Sequence, residues 1–304
     1  MLYILLCLGL VLLVYGGNML VDGAVALAKR FGLSSLVIGL VLVGFGTSMP
    51  ELIASFISIF ENSEGIAVGN VVGSNIANIL LVLGTASLIH PIEIDINAFR
   101  RDGLMLVIAT ALLMIAGWIG TIGHWLGMIF VSGLIGYVIY SYFSDKKSYQ
   151  EKEITEPKPN GTLALLKTFI GIGVTIGGAK LLVDNAILLA QVWGVSESII
   201  GLTVVAVGTS LPELAASVIA SVKKENGVAF GNVVGSNIYN ALFILGMCAL
   251  FVPITMPEGI KSDMFIMGVS TIALCGFAIG QKRFSRIVGV LFLSMYVFYI
   301  WYLF

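Results

Sequence analysis

Residues 69–78 read GNVVGSNIAN, and residues 231–240 read GNVVGSNIYN. The offset is 162, and the same offset carries GTSMPE at 46–51 onto GTSLPE at 208–213. Sliding the chain against itself by 162 residues aligns Gly16–Ile92 with the second half without a gap, and about half of those positions are identical. Asp22 falls on Asp184, Gly39 on Gly201 and Pro91 on Pro253. The chain is therefore an internal duplication, and any site built from these motifs is built twice.

Outward from the motifs, the chain is unusually apolar. Of its 304 residues 58% are hydrophobic and only 11% charged, with a mean hydropathy of +1.04. A water-soluble domain carries about a quarter charged residues, so this composition leaves too little polar surface for one. The apolar stretches run to twenty residues or more, the length of a helix that crosses a bilayer. No repeated apolar–polar alternation suggests a β-barrel. Ten stretches stand out, near 2–28, 34–60, 65–89, 103–120, 124–143, 162–190, 196–222, 227–251, 262–280 and 284–304. The expected fold is an all-α integral membrane protein of ten transmembrane helices. The first stretch lacks the basic start and cleavage site of a signal peptide, and it has a counterpart in the second half. Cys7, Cys248 and Cys275 sit within apolar stretches and read as small core residues.

The basic residues test the count. Lys29, Arg30, Arg100, Arg101, Lys146, Lys147, Lys152, Lys158, Lys167, Lys223, Lys224, Lys282, Arg283 and Arg286 all fall on loops or helix ends of one side. The other side has Lys261, and Lys180 lies within a span. An asymmetry this complete over ten helices places the basic side in the cytoplasm and both termini outside. Residues 144–161, SDKKSYQEKEITEPKPNG, read as a solvated cytoplasmic linker. The organisation is then a five-helix repeat over 1–143, the linker at 144–161, and a second repeat over 162–304. Five is odd, so the halves enter the membrane from opposite sides. Inverted repeats of this kind let a transporter present one midplane site to each face in turn.

The motifs supply that site. Pro50 and Pro212 have no N–H for the carbonyls of Gly46 and Gly208, so each second span of a repeat is broken there. Backbone opened at membrane depth is tolerated where it lines a cavity or meets a ligand. Ser48, Glu51 and Ser55 follow on one helix face, and Ser210, Glu213 and Ser217 repeat them. A carboxylate near the middle of a span marks a functional site. The spans offer almost no base: Lys180 is the sole candidate, and Asp184 four residues on is its expected partner. Two glutamates without bases call for a cation. Asn70, Ser74 and Asn78 make a polar stripe on the next span, repeated by Asn232, Ser236 and Asn240, beside the glycines at 65, 69, 73 and 227, 231, 235. Those glycines read as packing positions, while Asn75 and Asn237 fall off the stripe. Asp22 and Asp184 lie near span ends, where capping or interface solvation is expected. An all-oxygen set without His or Cys suits hard cations, and irregular ligands in number suit Ca²⁺ more than Mg²⁺. The same set could hold several Na⁺ or protons.

The paired GTSxPE and GNVVGSNIxN segments resemble the repeats of the calcium/cation antiporter superfamily, and within it the compact microbial sodium/calcium exchangers. The resemblance implies an eight-helix core with the first and sixth spans sliding across it. It implies that Glu51 and Glu213 hold Ca²⁺ with the carbonyls of Thr47 and Thr209. Na⁺ would use these groups with Ser48, Ser210, Ser74, Ser236 and the carbonyls of Gly44 and Ala206, and Asn78 and Asn240 would lie beside the central position. About three Na⁺ would exchange for one Ca²⁺. Some relatives carry Asp where this chain has Asn240, so the site has two formal charges, which argues against potassium co-transport.

The expected function is electrogenic Na⁺/Ca²⁺ antiport by alternating access in the plasma membrane, with Na⁺ and Ca²⁺ as substrates. Proton/calcium exchange, transport of another divalent cation, and a channel are the alternatives. A two-carboxylate intramembrane hydrolase explains neither the duplicated serines and asparagines nor the broken helices, so no enzyme is expected. No motif asks for a cofactor or an obligatory protein partner, and a net charge of −1 disfavours nucleic acid.

Overall fold

The computed structural model describes residues 2–150, 159–193, 206–257 and 259–303. Its helices are α1 (Leu2–Phe31), α2 (Ser35–Thr47), α3 (Met49–Phe60), α4 (Glu64–Ile89), α5 (Ile96–Ile119), α6 (His124–Gln150), α7 (Gly161–Val192), α8 (Ala206–Thr209), α9 (Leu211–Val222), α10 (Asn226–Phe251), α11 (Ile260–Gln281) and α12 (Arg286–Leu303). Among the described residues eight helices are long and apolar enough to cross a membrane. A ninth span is the pair α2 and α3, bent by 42° at Ser48. Of the expected seventh span, α8 and α9 are described, and 196–205 lie outside the described residues. The protein is an all-α, multi-pass membrane protein.

Two helices form the centre. Helices α4 and α10 are mostly buried, whereas the other long helices keep more than half of their apolar part exposed. The rest surround them with lipid-facing side chains. All four tryptophans (Trp118, Trp125, Trp193, Trp301) are exposed at helix ends opposite the basic loops, and Lys261 lies over the Trp118 ring, as expected of an interfacial aromatic belt.

Helix α1 packs antiparallel along α7 through small residues spaced by seven. A Cβ on Gly16 would lie 2.7 Å from Thr175 Oγ1, and one on Gly9 would lie 2.8 Å from the Leu182 nitrogen. Without a hydrophobic driving force between helices in lipid, such close backbone approach supplies the packing.

Several local features recur at the offset of 162. Strand β1 (Ile92–Glu93) pairs with β4 (Arg283–Phe284), and β2 (Thr121–Ile122) pairs with β3 (Ile254–Thr255). The offset carries Ile92 to Ile254 and Ile122 to Phe284, so each ribbon maps onto the other. Helices α3 and α9 both end in a left-handed residue, Asn62 (φ 58°) and Lys224 (φ 61°). Each is followed by a bond five residues back, Ser63 N to Ser58 O and Glu225 N to Ala220 O, both 2.8 Å. A π-helical turn opens at Asn78 in α4, and another at Tyr239 in α10 encloses Asn240.

Helix α6 runs into the expected linker, through Ser144 to Gln150, because lysine and glutamine are good helix formers and propagation is easy once the apolar part has nucleated the helix. Residues 151–158 lie outside the described residues.

Candidate functional site

Pro50 and Pro212 each stand in the first turn of the helix after the break, where the absent N–H costs nothing. The break is a single residue. Ser48 has φ −80° and ψ 7°, and Ser210 has φ −86° and ψ 5°. Ser48 N still reaches the Gly44 carbonyl at 3.1 Å, and Leu52 N reaches the Ser48 carbonyl at 3.1 Å. The chain therefore bends and does not unravel. The Gly46 carbonyl is the one that Pro50 leaves without its helical donor. The Gly44 carbonyl accepts from Ser48 N and, at 3.3 Å, from Ser236 Oγ.

The bend turns both glutamates inward. Glu51 and Glu213 are fully buried, as are Ser48, Ser55, Ser210 and Ser217. Ser48 Oγ donates to Glu213 Oε1 at 3.1 Å, so a serine of the first half holds the carboxylate of the second. Ser236 Oγ lies 3.5 Å from the same oxygen. Among the described residues no Lys or Arg pairs with either carboxylate. Lys180 forms no ion pair with Asp184 either, contrary to expectation. Asp22 pairs with Lys223 at 2.6 Å while its side chain stays 55% exposed, a structural contact near the span end.

Around the glutamates, buried polar atoms lack protein partners. These are both oxygens of Glu51, Glu213 Oε2, Ser210 Oγ, and the whole amides of Asn78 and Asn240. Buried polar groups are nearly always hydrogen-bonded, so a cluster of exceptions points to a ligand or water. Ser74 is buried beside them on α4, and Thr47 is buried on α2, while Thr209 is half-buried and closes α8. Ala206 opens α8. Among the described residues no group of three or more His, Cys, Asp or Glu is present. The cluster offers two carboxylates and neutral oxygens, a set whose chemistry suits a hard cation.

Asn70, Asn232 and Asn75 are hydrogen-bonded within the protein. Asn70 Nδ2 donates to the Glu51 carbonyl (3.2 Å) and to Ser55 Oγ (3.0 Å). Asn232 Nδ2 donates to the Glu213 carbonyl (3.1 Å) and Ser217 Oγ (2.9 Å). Each bracket fixes the backbone that carries a glutamate. Asn75 Nδ2 donates to the Asn237 carbonyl at 3.3 Å, joining α4 to α10. The sequence placed Asn70 and Asn232 on the polar stripe without showing which helix they grip. The seam of α1 and α7 was not read from the sequence, although Gly9, Gly16 and Gly23 stand seven apart there.

A model of the family described as sodium/calcium exchanger protein matches residues 1–143 and 163–304. The chain is 32% identical to the sodium/calcium exchanger MaX1 of Methanosarcina acetivorans, over 99% of this chain and 98% of that one. It is 26% identical to the Ca(2+)/H(+) antiporter ChaA of Bacillus subtilis, over 78% and 74%. Among solved structures, the sodium-calcium exchanger NCX_Mj in a crystal soaked with 10 mM Na⁺ and zero Ca²⁺ superposes with a TM-score of 0.87 at 32% identity, covering 99% of both chains. These relatives are transporters, and their ions are substrates. The chain belongs to the sodium/calcium exchanger protein family.

Proposed function

We propose that this chain exchanges Na⁺ for Ca²⁺ by alternating access, moving net charge and exporting Ca²⁺ across the plasma membrane. One observation carries the reading: Glu51 and Glu213 are fully buried without a base and stand among unpartnered Ser and Asn oxygens. Two carboxylates neutralise one divalent ion, and Ca²⁺ accepts the six to eight irregular oxygens that such a cluster can offer. Thr47, Thr209, Ser48, Ser210, Ser74, Ser236, Asn78, Asn240, Gly44 and Ala206 complete the proposed ligand set. Competition of several Na⁺ for the same oxygens makes the two ions exclude each other, which is the basis of exchange.

The exchange of the two ribbons under the offset, and the matching turns at Asn62 and Lys224, support ten spans in two inverted five-helix repeats over 1–143 and 162–304. Basic loops at one face and tryptophans at the other support a cytoplasmic linker and external termini. In that orientation the half bearing Gly69 and Gly73 faces outside.

The test is ⁴⁵Ca²⁺ uptake into Na⁺-loaded proteoliposomes, with Glu51→Gln and Glu213→Gln as controls. Uptake that needs the outward Na⁺ gradient and is lost in both variants is expected. Uptake driven only by a proton gradient would move the protein to proton coupling, the activity named for the B. subtilis relative. Uptake with no gradient would make it a channel.

A further inference from the structure

The repeated motif GNVVGSNIxN differs between the halves at one position, Ala77 against Tyr239. Tyr239 is buried on α10, and its hydroxyl donates to the Val41 carbonyl of α2 at 3.2 Å. Its ring meets Phe45 edge-on, with 5.4 Å between centroids, and Phe243 completes the cluster at 5.6 Å from Phe45. The offset of 162 carries Phe243 to Leu81 and Phe45 to Val207, so one half alone has the residues for this cluster.

The cluster grips α2 where that helix is irregular. Residues Gly39–Val43 form a π turn, and the Gly44 N–H bonds to the Gly39 carbonyl five residues back. Such turns are rare and occur singly, so a donor from a neighbouring helix at Val41 fixes the turn from outside. Directly after the turn comes Gly44, a member of the proposed ligand set. A Cβ on Gly44 would lie 2.9 Å from the Ser236 nitrogen, so its backbone rests on α10 one turn before Tyr239. The Gly44 carbonyl accepts from Ser48 N, which leaves it one lone pair. Ser236 Oγ stands 3.3 Å from that carbonyl and 3.5 Å from Glu213 Oε1. Its single proton can turn to the carboxylate and leave the carbonyl to an ion.

We propose that Tyr239 is a positioning residue for Na⁺, its hydroxyl setting the Gly44 carbonyl through the Val41 turn. The inference rests on the proposed ligand set, in which the Gly44 carbonyl serves Na⁺ and not Ca²⁺. The other half has Ala77 and no such hydroxyl, so the Na⁺ positions at Gly44 and Ala206 are unequal.

The test is equilibrium ⁴⁵Ca²⁺ binding to the full chain in nanodiscs, first without Na⁺ and then with rising Na⁺ at fixed ⁴⁵Ca²⁺. Tyr239→Phe keeps the ring and removes the hydroxyl alone. One neutral hydrogen bond is worth up to about tenfold in affinity, and at one of about three Na⁺ positions this raises the half-displacing Na⁺ concentration by the cube root, roughly twofold. Ca²⁺ affinity without Na⁺ should stay at the parent value. Phe243→Leu, which matches Leu81 of the other half, disturbs the rings but not the hydroxyl and should leave the balance between the two ions unchanged. Equal weakening of Na⁺ and Ca²⁺ in Tyr239→Phe would mean a purely structural role and overturn the proposal, as would the same Na⁺ shift in Phe243→Leu. A parent that releases Ca²⁺ to Na⁺, beside a Tyr239→Phe variant with no shift, sinks the positioning role alone. A parent whose bound Ca²⁺ ignores Na⁺ sinks the exchange reading, and the role of Tyr239 with it.

Discussion

Lys223 Nζ lies 2.6 Å from Asp22 Oδ1, joining the basic end of α9 to α1 across 201 residues of chain. The offset of 162 carries this pair onto Glu61 and Asp184, two like charges. The fold therefore ties α1 to the core at one face and has no equivalent ion pair at the other. Both partners are solvent-accessible, with side-chain exposures of 29% and 55%. Exposed pairs contribute about 0–1 kcal/mol. Asp22→Asn should thus leave thermal unfolding in detergent nearly unchanged. A double-mutant cycle with Lys223→Met should give a coupling below about 1 kcal/mol, and a larger coupling would show a desolvated pair.

Arg101 is a different case. Its guanidinium contacts both oxygens of Asp102, at 2.6 and 2.9 Å, and Tyr137 donates to the same carboxylate at 2.7 Å. Asp102 is fully buried. Removing one partner of a buried pair leaves an uncompensated charge and costs about 3–5 kcal/mol. Arg101→Met should therefore lower thermal stability markedly, whereas Arg100→Met on the exposed side should not. Comparable melting temperatures for the two variants would contradict the buried network.

These examples mark how far the sequence reaches. The repeat, the spans and the two glutamates were legible because each is a strong local signal: identity at a fixed offset, apolar length, and a carboxylate at membrane depth. Arg100 and Arg101 read alike, since sequence counts charges per loop and says nothing of which one turns inward. The continuation of α6 to Gln150 was hidden because solvated charge looks the same on a helix as on a linker. The close approach of α10 to α2 at Gly231 and Gly235 could not be read at all, because identical motifs make identical expectations.

That contact is measurable. Gly235→Ala inserts a methyl against the Leu40 backbone. Overpacking of this kind costs about 1–3 kcal/mol. Among the described residues nothing stands within 4 Å of a Cβ on Gly73, and alanine there replaces a flexible residue within a helix, so Gly73→Ala should be neutral or slightly stabilising. Thermal unfolding of the two alanine variants checks this, and an unchanged melting temperature in Gly235→Ala would contradict the close packing of α10 on α2.

Asn78 and Asn240 bring stability and function into opposition. Each buries a whole amide with no protein partner, an arrangement that costs roughly 1–3 kcal/mol per unsatisfied group.

Asn240→Leu removes that cost, so the ion-free protein in chelator should melt higher than the parent. The same variant loses a polar neighbour of the cation, so Ca²⁺ should raise its melting temperature less. Ligand at about a hundred times its dissociation constant stabilises a protein by about 2.7 kcal/mol, which is well within reach of a thermal-shift assay on the parent. Glu51→Gln, whose oxygens have no other partner, should abolish the Ca²⁺ shift altogether. An undiminished shift in Asn240→Leu would remove Asn240 from the ligand set, and an undiminished shift in Glu51→Gln would place the cation elsewhere.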